Sequence, residues 1–506
     1  MNASAPVPPA VAAAYRQYRD GRPDAAFATL STAGDAARGH PAGPLLRGAL
    51  ELDGQRPEAA VRAFRHAAIL APALGGAYGN TAVALRRSNR LDAALVSACR
   101  ALVLSPASVA ARNAVAATLL DLDRPAEALA ESEAVLSGSP DEDDAQLNRG
   151  LALQRLGRLD EARDVFDAAV SRRPGDPIPL HTRGYLRLLL GDLPAGWRER
   201  EARWELPGHM PMRTLPDVPP WEGEPLQGRR LLVVADEGRG DMIQYVRFLR
   251  RPPFDRAHLT LLARSYMVRL FAPALPGVDV RATPPDGPVD FQIPLSRVPA
   301  VLGADLATIP RDTPYLSAEP DRIAHWRSLI GGHGFRIAVC WQGNPDTPVD
   351  RGRSIPLAAF ASLAAIPGVR LIALQARHGT DQLTRLPPGM TVETLGQDYD
   401  RGPDAFVDPA AVACAVDLVV SSDTALAHLA GALGRPVWLA VRRIPDFRWL
   451  LDRDYSPWYP TMRLFRQRTE GDWAGVMGRI ADAVRGRMDT EGMPGQPPAP
   501  GPYSAS

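Results

Sequence analysis

Residues 417–441 read DLVVSSDTALAHLAGALGRPVWLAV, and their order is chemically suggestive. Ser421, Ser422, Asp423 and Thr424 form a polar, cap-competent group between the apolar run Leu418–Val420 and a helix-forming run from Ala425 to Leu433. Gly434 and Pro436 stop that helix, and Val437–Val441 is a second run of buried-strand type. Strand, tight loop, helix and strand make half of a doubly wound unit, in which ligands sit at the carboxyl ends of the strands. The first N–H groups of such a helix are unpaired and its macrodipole adds positive potential, so this end suits a diphosphate. His428, four residues after Thr424, projects toward the same mouth. A core helix with a polar cap and a satisfied histidine has the same composition, and that reading stays open.

Two other stretches put polar residues at strand ends. Residues 229–236 (RRLLVVAD) read as a strand, Glu237-Gly238-Arg239-Gly240-Asp241 as a glycine-bearing loop, and Met242–Arg250 as a helix. Glycines let the backbone turn sharply and let a substrate come close, while Asp241 could equally cap the helix. Residues 336–341 (RIAVCW) read as a buried strand, followed by Gln342-Gly343-Asn344-Pro345 and then by Arg351, Arg353 and Ser354 before a helix from Pro356. The planar fork of an arginine matches phosphate; a solvated loop is the alternative for both arginines.

The segment SSDTALAHLAGALGRPVW resembles the DTGxxH-type segment of the heptosyltransferase-like enzymes (glycosyltransferase family 9), with Ala425 standing where that family usually has Gly. Gly238-Arg239-Gly240-Asp241 resembles the family's N-terminal GxGD loop, and Arg353, two positions before Ile355-Pro356, matches a basic residue that is often Lys there. The resemblance covers roughly residues 229–487. It implies a GT-B module of two Rossmann-like halves, 229–315 on the acceptor side and 316–487 on the nucleotide-sugar side. It further implies Asp241 as the catalytic base, Gly238 and Gly240 as the acceptor-side loop, and inversion at the anomeric carbon. Arg353, Ser422, Asp423, Thr424, Ala425 and His428 would hold the nucleotide diphosphate. No metal and no cofactor beyond the nucleotide-sugar substrate is expected, because a helix end and arginines can neutralise the departing diphosphate.

Other elements must position these groups. His258–Arg264, Val278–Ala282, Val369–Gln375 and Thr391–Leu395 read as further strands, and Ile323–Ile330 and Pro409–Val416 as helices. Trp449, Trp458 and Tyr459 lie in an aromatic- and arginine-rich stretch where packing is the expected role. The last helix is expected from Trp473 to about Met488, with a Gly/Pro/Ser-rich disordered tail over 488–506.

The first half is periodic. Pro72, Pro106, Pro140 and Pro174 are 34 residues apart, each preceded at a fixed distance by Ala60, Ala94, Ala128 or Ala162. Gly48, Ala82, Ala116, Gly150 and Gly184 keep the same period. This resembles tetratricopeptide repeats: two antiparallel helices per unit, small residues where they touch, Pro after the second. The array is expected over 8–204, as about five units and a further helix pair, followed by a proline-rich linker over 205–228 anchored by Trp221. Its concave face implies a protein partner or a brace for the second half.

The fold class is thus α plus α/β. A chain of 506 residues, 45% hydrophobic and 23% charged with net charge +1, is ordinary globular composition and no general nucleic-acid binder. Three scattered cysteines form neither a zinc spacing nor a disulfide framework, and no basic leader or apolar span is evident, so a cytoplasmic location without a transmembrane segment is expected. The function expected is transfer of a sugar from a nucleotide-diphosphate sugar to a glycan or protein acceptor. A repeat scaffold whose second half binds a ligand or partner without turnover is the alternative.

Overall fold

The computed structural model describes residues 6–206 and 215–491. By contact the chain divides into two compact units: Met1–Pro179 with Asp346–Arg351, and Leu180–Pro345 with Gly352–Ser506. Among the described residues no helix is long and apolar enough to cross a membrane.

The first unit is a run of paired helices, from Pro9–Arg19 with Pro23–Thr32 to Asp143–Arg155 with Leu159–Arg172. The periodic alanines are its contact points: Ala60, Ala94, Ala128 and Ala162 are wholly buried. The small position is complementary to the residue 16 places later. A Cβ on Gly48 would stand 2.3 Å from the Phe64 ring, and one on Gly150 2.4 Å from the Phe166 ring. Where the later residue is small, as at Ala98 and Ser132, the earlier one is Ala82 or Ala116. A second periodicity governs the turns inside each pair. Gly21, Gln55, Asn89, Asp123 and Gly157 all take positive φ, between 55° and 75°. Arg351, from the Asp346–Arg351 segment, donates to Asp121 (2.8 Å) and to Asn89 (2.8 Å), so it is no solvated loop residue.

In the second unit, helices α1 (Pro177–Leu189) and α2 (Leu193–Arg200) precede two parallel sheets. The unit division falls in the first turn of α1, so the helix pair expected to end the repeat array belongs by contact to the α/β unit. Sheet one has the order β3-β2-β1-β4, with β1 Arg230–Val234, β2 His258–Leu262, β3 Asp279–Arg281 and β4 Phe291–Pro294. Sheet two has the order β6-β5-β7-β8-β9, with β5 Phe335–Cys340, β6 Val369–Ala373, β7 Leu418–Ser421, β8 Val437–Val441 and β9 Met462–Arg466. β7 and β8 are buried along their whole length, as parallel strands covered on both faces must be. Strand order reverses between β1 and β4 and between β5 and β7, the positions at which open α/β sheets take ligands.

Several expectations need correction. Helix α3 (Arg239–Tyr245) begins inside the expected glycine loop and continues as a 3₁₀ segment, Val246–Arg250, so Gly240 and Asp241 are helical. β4 and β9 are additional to the expected strands: FQIP is short and ends in proline, and MRLFR carries two arginines. Thr391–Leu395 contributes one bridge, Glu393 to Ile372, rather than a strand. The last helix runs Trp473–Glu491, past the expected start of the tail at 488; the rest of that tail lies outside the described residues. Of the expected linker, 207–214 also lie outside them, but Leu215 to Trp221 is fastened to the sheet. The buried Gln292 of β4 accepts from Leu215 N–H (2.9 Å) and donates to the carbonyls of Leu215 (2.7 Å) and Val218 (2.5 Å). Trp221 is the anchor expected, buried against Phe254 with ring centroids 5.4 Å apart.

Candidate functional site

Helix α4 (Ala425–Ala432) follows β7, and its first turn meets the first turn of α3. A Cβ on Gly240 would stand 3.0 Å from His428 Cδ2 and 3.5 Å from Ala425 Cα, so glycine is what lets the two helix ends approach. The two stretches that looked chemical in the sequence therefore share one site in the second unit. Gly238 is the N-cap of α3, and its missing side chain leaves room for the Asp241 carboxylate, 3.0 Å from where a Cβ would be.

Asp241 does not cap its helix. Its bonded partner is the Arg448 guanidinium, in an ion pair. Burial pushes Asp241 above the usual carboxylate range, Arg448 pulls it back, and Glu237 and Asp446 add to the rise. Arg448 also donates to Gln244 Oε1 (2.6 Å), Asp446 Oδ1 (2.7 Å) and the Tyr245 hydroxyl (3.4 Å). Burial opposes its charge, yet Asp446 and Asp241 keep it firmly protonated. Sequence reasoning missed Arg448, because Arg442, Arg443, Asp452, Arg453 and Asp454 in the same stretch leave it without a distinguishing signal.

At the start of α4 the residues divide by role. Thr424 is the N-cap by position, but its hydroxyl turns inward to Ser421 Oγ (3.2 Å) and Cys340 Sγ (3.5 Å) and caps no N–H. No acceptor serves the N–H groups of Ala425 and Leu426 among the described residues. Ser422 Oγ, near them in sequence, is buried and has no partner among the described residues. This is anion-binding geometry: first-turn N–H groups and a hydroxyl with free donor capacity.

His428 is buried, with Nδ1 2.8 Å from the Tyr459 hydroxyl and its ring against Trp449 at 5.2 Å. Burial holds its pKa well below 6.5, and Arg448, Arg247 and Arg353 act in the same direction, so it is neutral at physiological pH. It can therefore donate or accept a hydrogen bond but supplies no charge to a diphosphate. Asp423 is pushed up to about 6 by burial and by Asp446, against the pull of Arg353. A carboxylate there repels a diphosphate and is better suited to a sugar or ribose hydroxyl. The half-buried Arg353 acts on both, favouring the Asp423 carboxylate and disfavouring protonation of His428.

The wall behind Asp241 comes from α1 and α2. Arg183 holds the two helices together through Glu199 (3.0 and 2.6 Å), and Arg200 donates to Glu237 (2.9 Å). Burial works against the charge of Glu237, but Arg200 and Arg203 hold it below the usual range. Trp197 packs on Tyr245 and Phe447 (centroids 6.2 and 5.5 Å), and Tyr185 on Phe447 (5.4 Å). Arg247, in the 3₁₀ continuation of α3, then donates to the carbonyl of Trp458 in the C-terminal segment (2.6 Å) and to that of Pro310 (3.1 Å). These aromatics pack, as expected for Trp449, Trp458 and Tyr459, all fully buried.

Fold and site together define a chain with N-terminal tetratricopeptide repeats followed by an α/β unit of parallel sheets. The family model described as "Tetratricopeptide repeat" matches residues 116–177. Protein FlbA of Caulobacter vibrioides is 28% identical over 461 residues, covering 85% of this chain and 76% of that protein. Among solved structures, a thermophilic TPR protein of Thermus thermophilus is 19% identical, with a TM-score of 0.31, covering 33% of this chain and 90% of its own. A tetratricopeptide repeat protein of Parabacteroides merdae is 17% identical, with a TM-score of 0.33, over 40% of this chain and 80% of its own.

Proposed function

We propose that the C-terminal unit is a GT-B-type glycosyltransferase, which transfers a sugar from a nucleotide-diphosphate sugar to a glycan or protein acceptor with inversion. The observation that carries this reading is the meeting of the two helix ends. Gly240, next to Asp241 in sequence, lies against Ala425 and His428, at the start of a helix whose Ala425 and Leu426 N–H groups have no acceptor among the described residues. The diphosphate would lie on those N–H groups and Ser422, with Arg353 opposite. Asp423 and the neutral His428 would address hydroxyls. Asp241 would take the proton of the acceptor hydroxyl as it attacks the anomeric carbon. The helix end and the arginines would meet the charge that grows on the leaving diphosphate. The repeats would hold a protein partner or acceptor on their concave face.

One observation favours the second reading, a ligand-binding scaffold without turnover: the candidate base is engaged by Arg448. A thermal-shift screen of the full chain against nucleoside diphosphates and nucleotide sugars separates these readings from no site at all. A ligand at about a hundredfold above its dissociation constant adds ~2.7 kcal/mol of stability. A stabilising nucleotide sugar that is then consumed supports the enzyme; a stabilising one left intact supports the scaffold.

A further inference from the structure

The ion pair that occupies Asp241 has a geometry of its own. Arg448 bridges two groups of residues that approach from different parts of the chain. Toward α3 it binds Asp241, Gln244 and Tyr245; toward its own segment it binds Asp446. Asp446 raises Asp423, on the loop that precedes α4, and the residue after Arg448, Trp449, packs on His428 inside α4. Arg448 is thus a buried cation at the junction between the candidate base and the candidate diphosphate site.

We propose that Arg448 is a donor-responsive positioning residue: it holds Asp241 in an ion pair until a nucleoside diphosphate at the N-terminus of α4 draws it away, so that Asp241 becomes a competent base only in the donor-bound enzyme. This rests on the glycosyltransferase reading above.

Three features support it. The donor side carries two carboxylates, Asp423 and Asp446, so a diphosphate placed there needs more positive charge than Arg353 alone brings. The Arg448 charge already acts on Asp423 and His428 on the donor side, and its Asp446 bond can persist while the bonds to α3 break. The groups facing Asp241 also fit a switch. They are Glu237 from its own loop, Arg200 of α2, Tyr185 of α1, Tyr245 of α3, and Asp446 and Arg448 of the C-terminal segment, with His428 of α4 against the neighbouring Gly240. Arg448 is the principal influence that keeps Asp241 acidic; without it, burial, Glu237 and Asp446 all favour proton uptake.

In the gated step the acceptor oxygen forms a bond to the anomeric carbon. The bond from that carbon to the diphosphate oxygen breaks with its electron pair, and the hydroxyl proton passes to Asp241. A carboxylate paired with a guanidinium is a weak base, so Asp241 gains its full basicity only once the diphosphate has arrived.

The test is calorimetric titration of the full chain with UDP, GDP and ADP near neutral pH, in buffers of different ionisation enthalpy. Release of Arg448 raises the proton affinity of Asp241 toward neutral pH, so binding takes up a fraction of a proton while the ionised remainder is the stronger, competent base. Wild type should show that uptake; Asp241→Asn should bind without it; Asp423→Asn should keep it. Arg448→Lys should weaken binding about 10- to 100-fold, the loss expected for charge-assisted contacts to a diphosphate. Binding without proton uptake in the wild type, or uptake that survives Asp241→Asn, overturns the switch and leaves the enzyme reading standing. If none of the three nucleotides binds, the donor-site reading falls and the switch with it.

Discussion

The Tyr459 hydroxyl stands 2.8 Å from Nδ1 of His428, and this contact settles which edge of the imidazole faces Gly240 and the candidate site. Arg247 stacks on the Tyr459 ring at 4.4 Å, so the neutral histidine is held by a cationic neighbourhood that penalises its protonation. The stability consequence has a definite sign. The folded pKa is depressed below the unfolded value near 6.5, so the unfolded chain takes up the proton first as pH falls. The contribution of neutral His428 is intact above about pH 6.5 and is lost below it, at up to ~1.4 kcal/mol per pH unit. Unfolding midpoints at several pH values between about 5 and 7.5 should fall more steeply on the acid side for wild type than for His428→Gln. Parallel curves would mean that His428 titrates normally.

Asp241→Asn keeps the shape of the side chain and removes the base. Donor affinity should be retained or tightened, since Arg448 is then no longer held by a carboxylate, while donor consumption in the presence of acceptor falls about 10²- to 10⁴-fold. Turnover within about threefold of wild type would remove Asp241 from the mechanism.

The repeats should respond to volume at one periodic position. Gly150→Ala puts a methyl 2.4 Å from the Phe166 ring and should cost about 1–3 kcal/mol by chemical denaturation. Adding Phe166→Leu, which vacates that space, should cost less than the sum of the two single changes. Additive losses would mean that the two residues do not share the space.

Gln292 is the fastener for the segment entering the second unit. Gln292→Leu leaves Leu215 N–H and the carbonyls of Leu215 and Val218 without their side-chain partner, at about 1–3 kcal/mol. Limited proteolysis of wild type should spare residues 215–228, and the variant should become sensitive there. Equal protection in both would assign the fastening to Trp221 alone.

Much of this architecture is legible in the sequence because it is written locally. The 34-residue period is set by helix pairs whose contacts repeat, so Ala60, Ala94, Ala128 and Ala162 announce themselves without any tertiary knowledge. β7, α4 and β8 are equally plain, since a strand buried on both faces has to be apolar throughout. β9 is hard to read because Arg463 points outward from an edge strand and Arg466 donates to the carbonyls of Trp449, Leu450 and Arg453, and β4 because a run of four ending in Pro gives no period. Arg448 is hidden for a different reason. Its meaning lies in a partner 207 residues away, and no local pattern encodes a pairing across the fold. The inward turn of the Thr424 hydroxyl is likewise a tertiary choice, made by Ser421 and Cys340.

The central claim is that a nucleotide diphosphate sits at the first turn of α4. Calorimetric titration of the full chain with UDP, GDP and ADP, repeated on Arg353→Ala with its unfolding curve checked, tests it most directly. The account predicts saturable binding of at least one nucleotide, weakened about tenfold or more in the variant through loss of a charge-assisted contact, with folding intact. Binding of equal affinity in a folded Arg353→Ala protein, or no binding in the wild type, would contradict it.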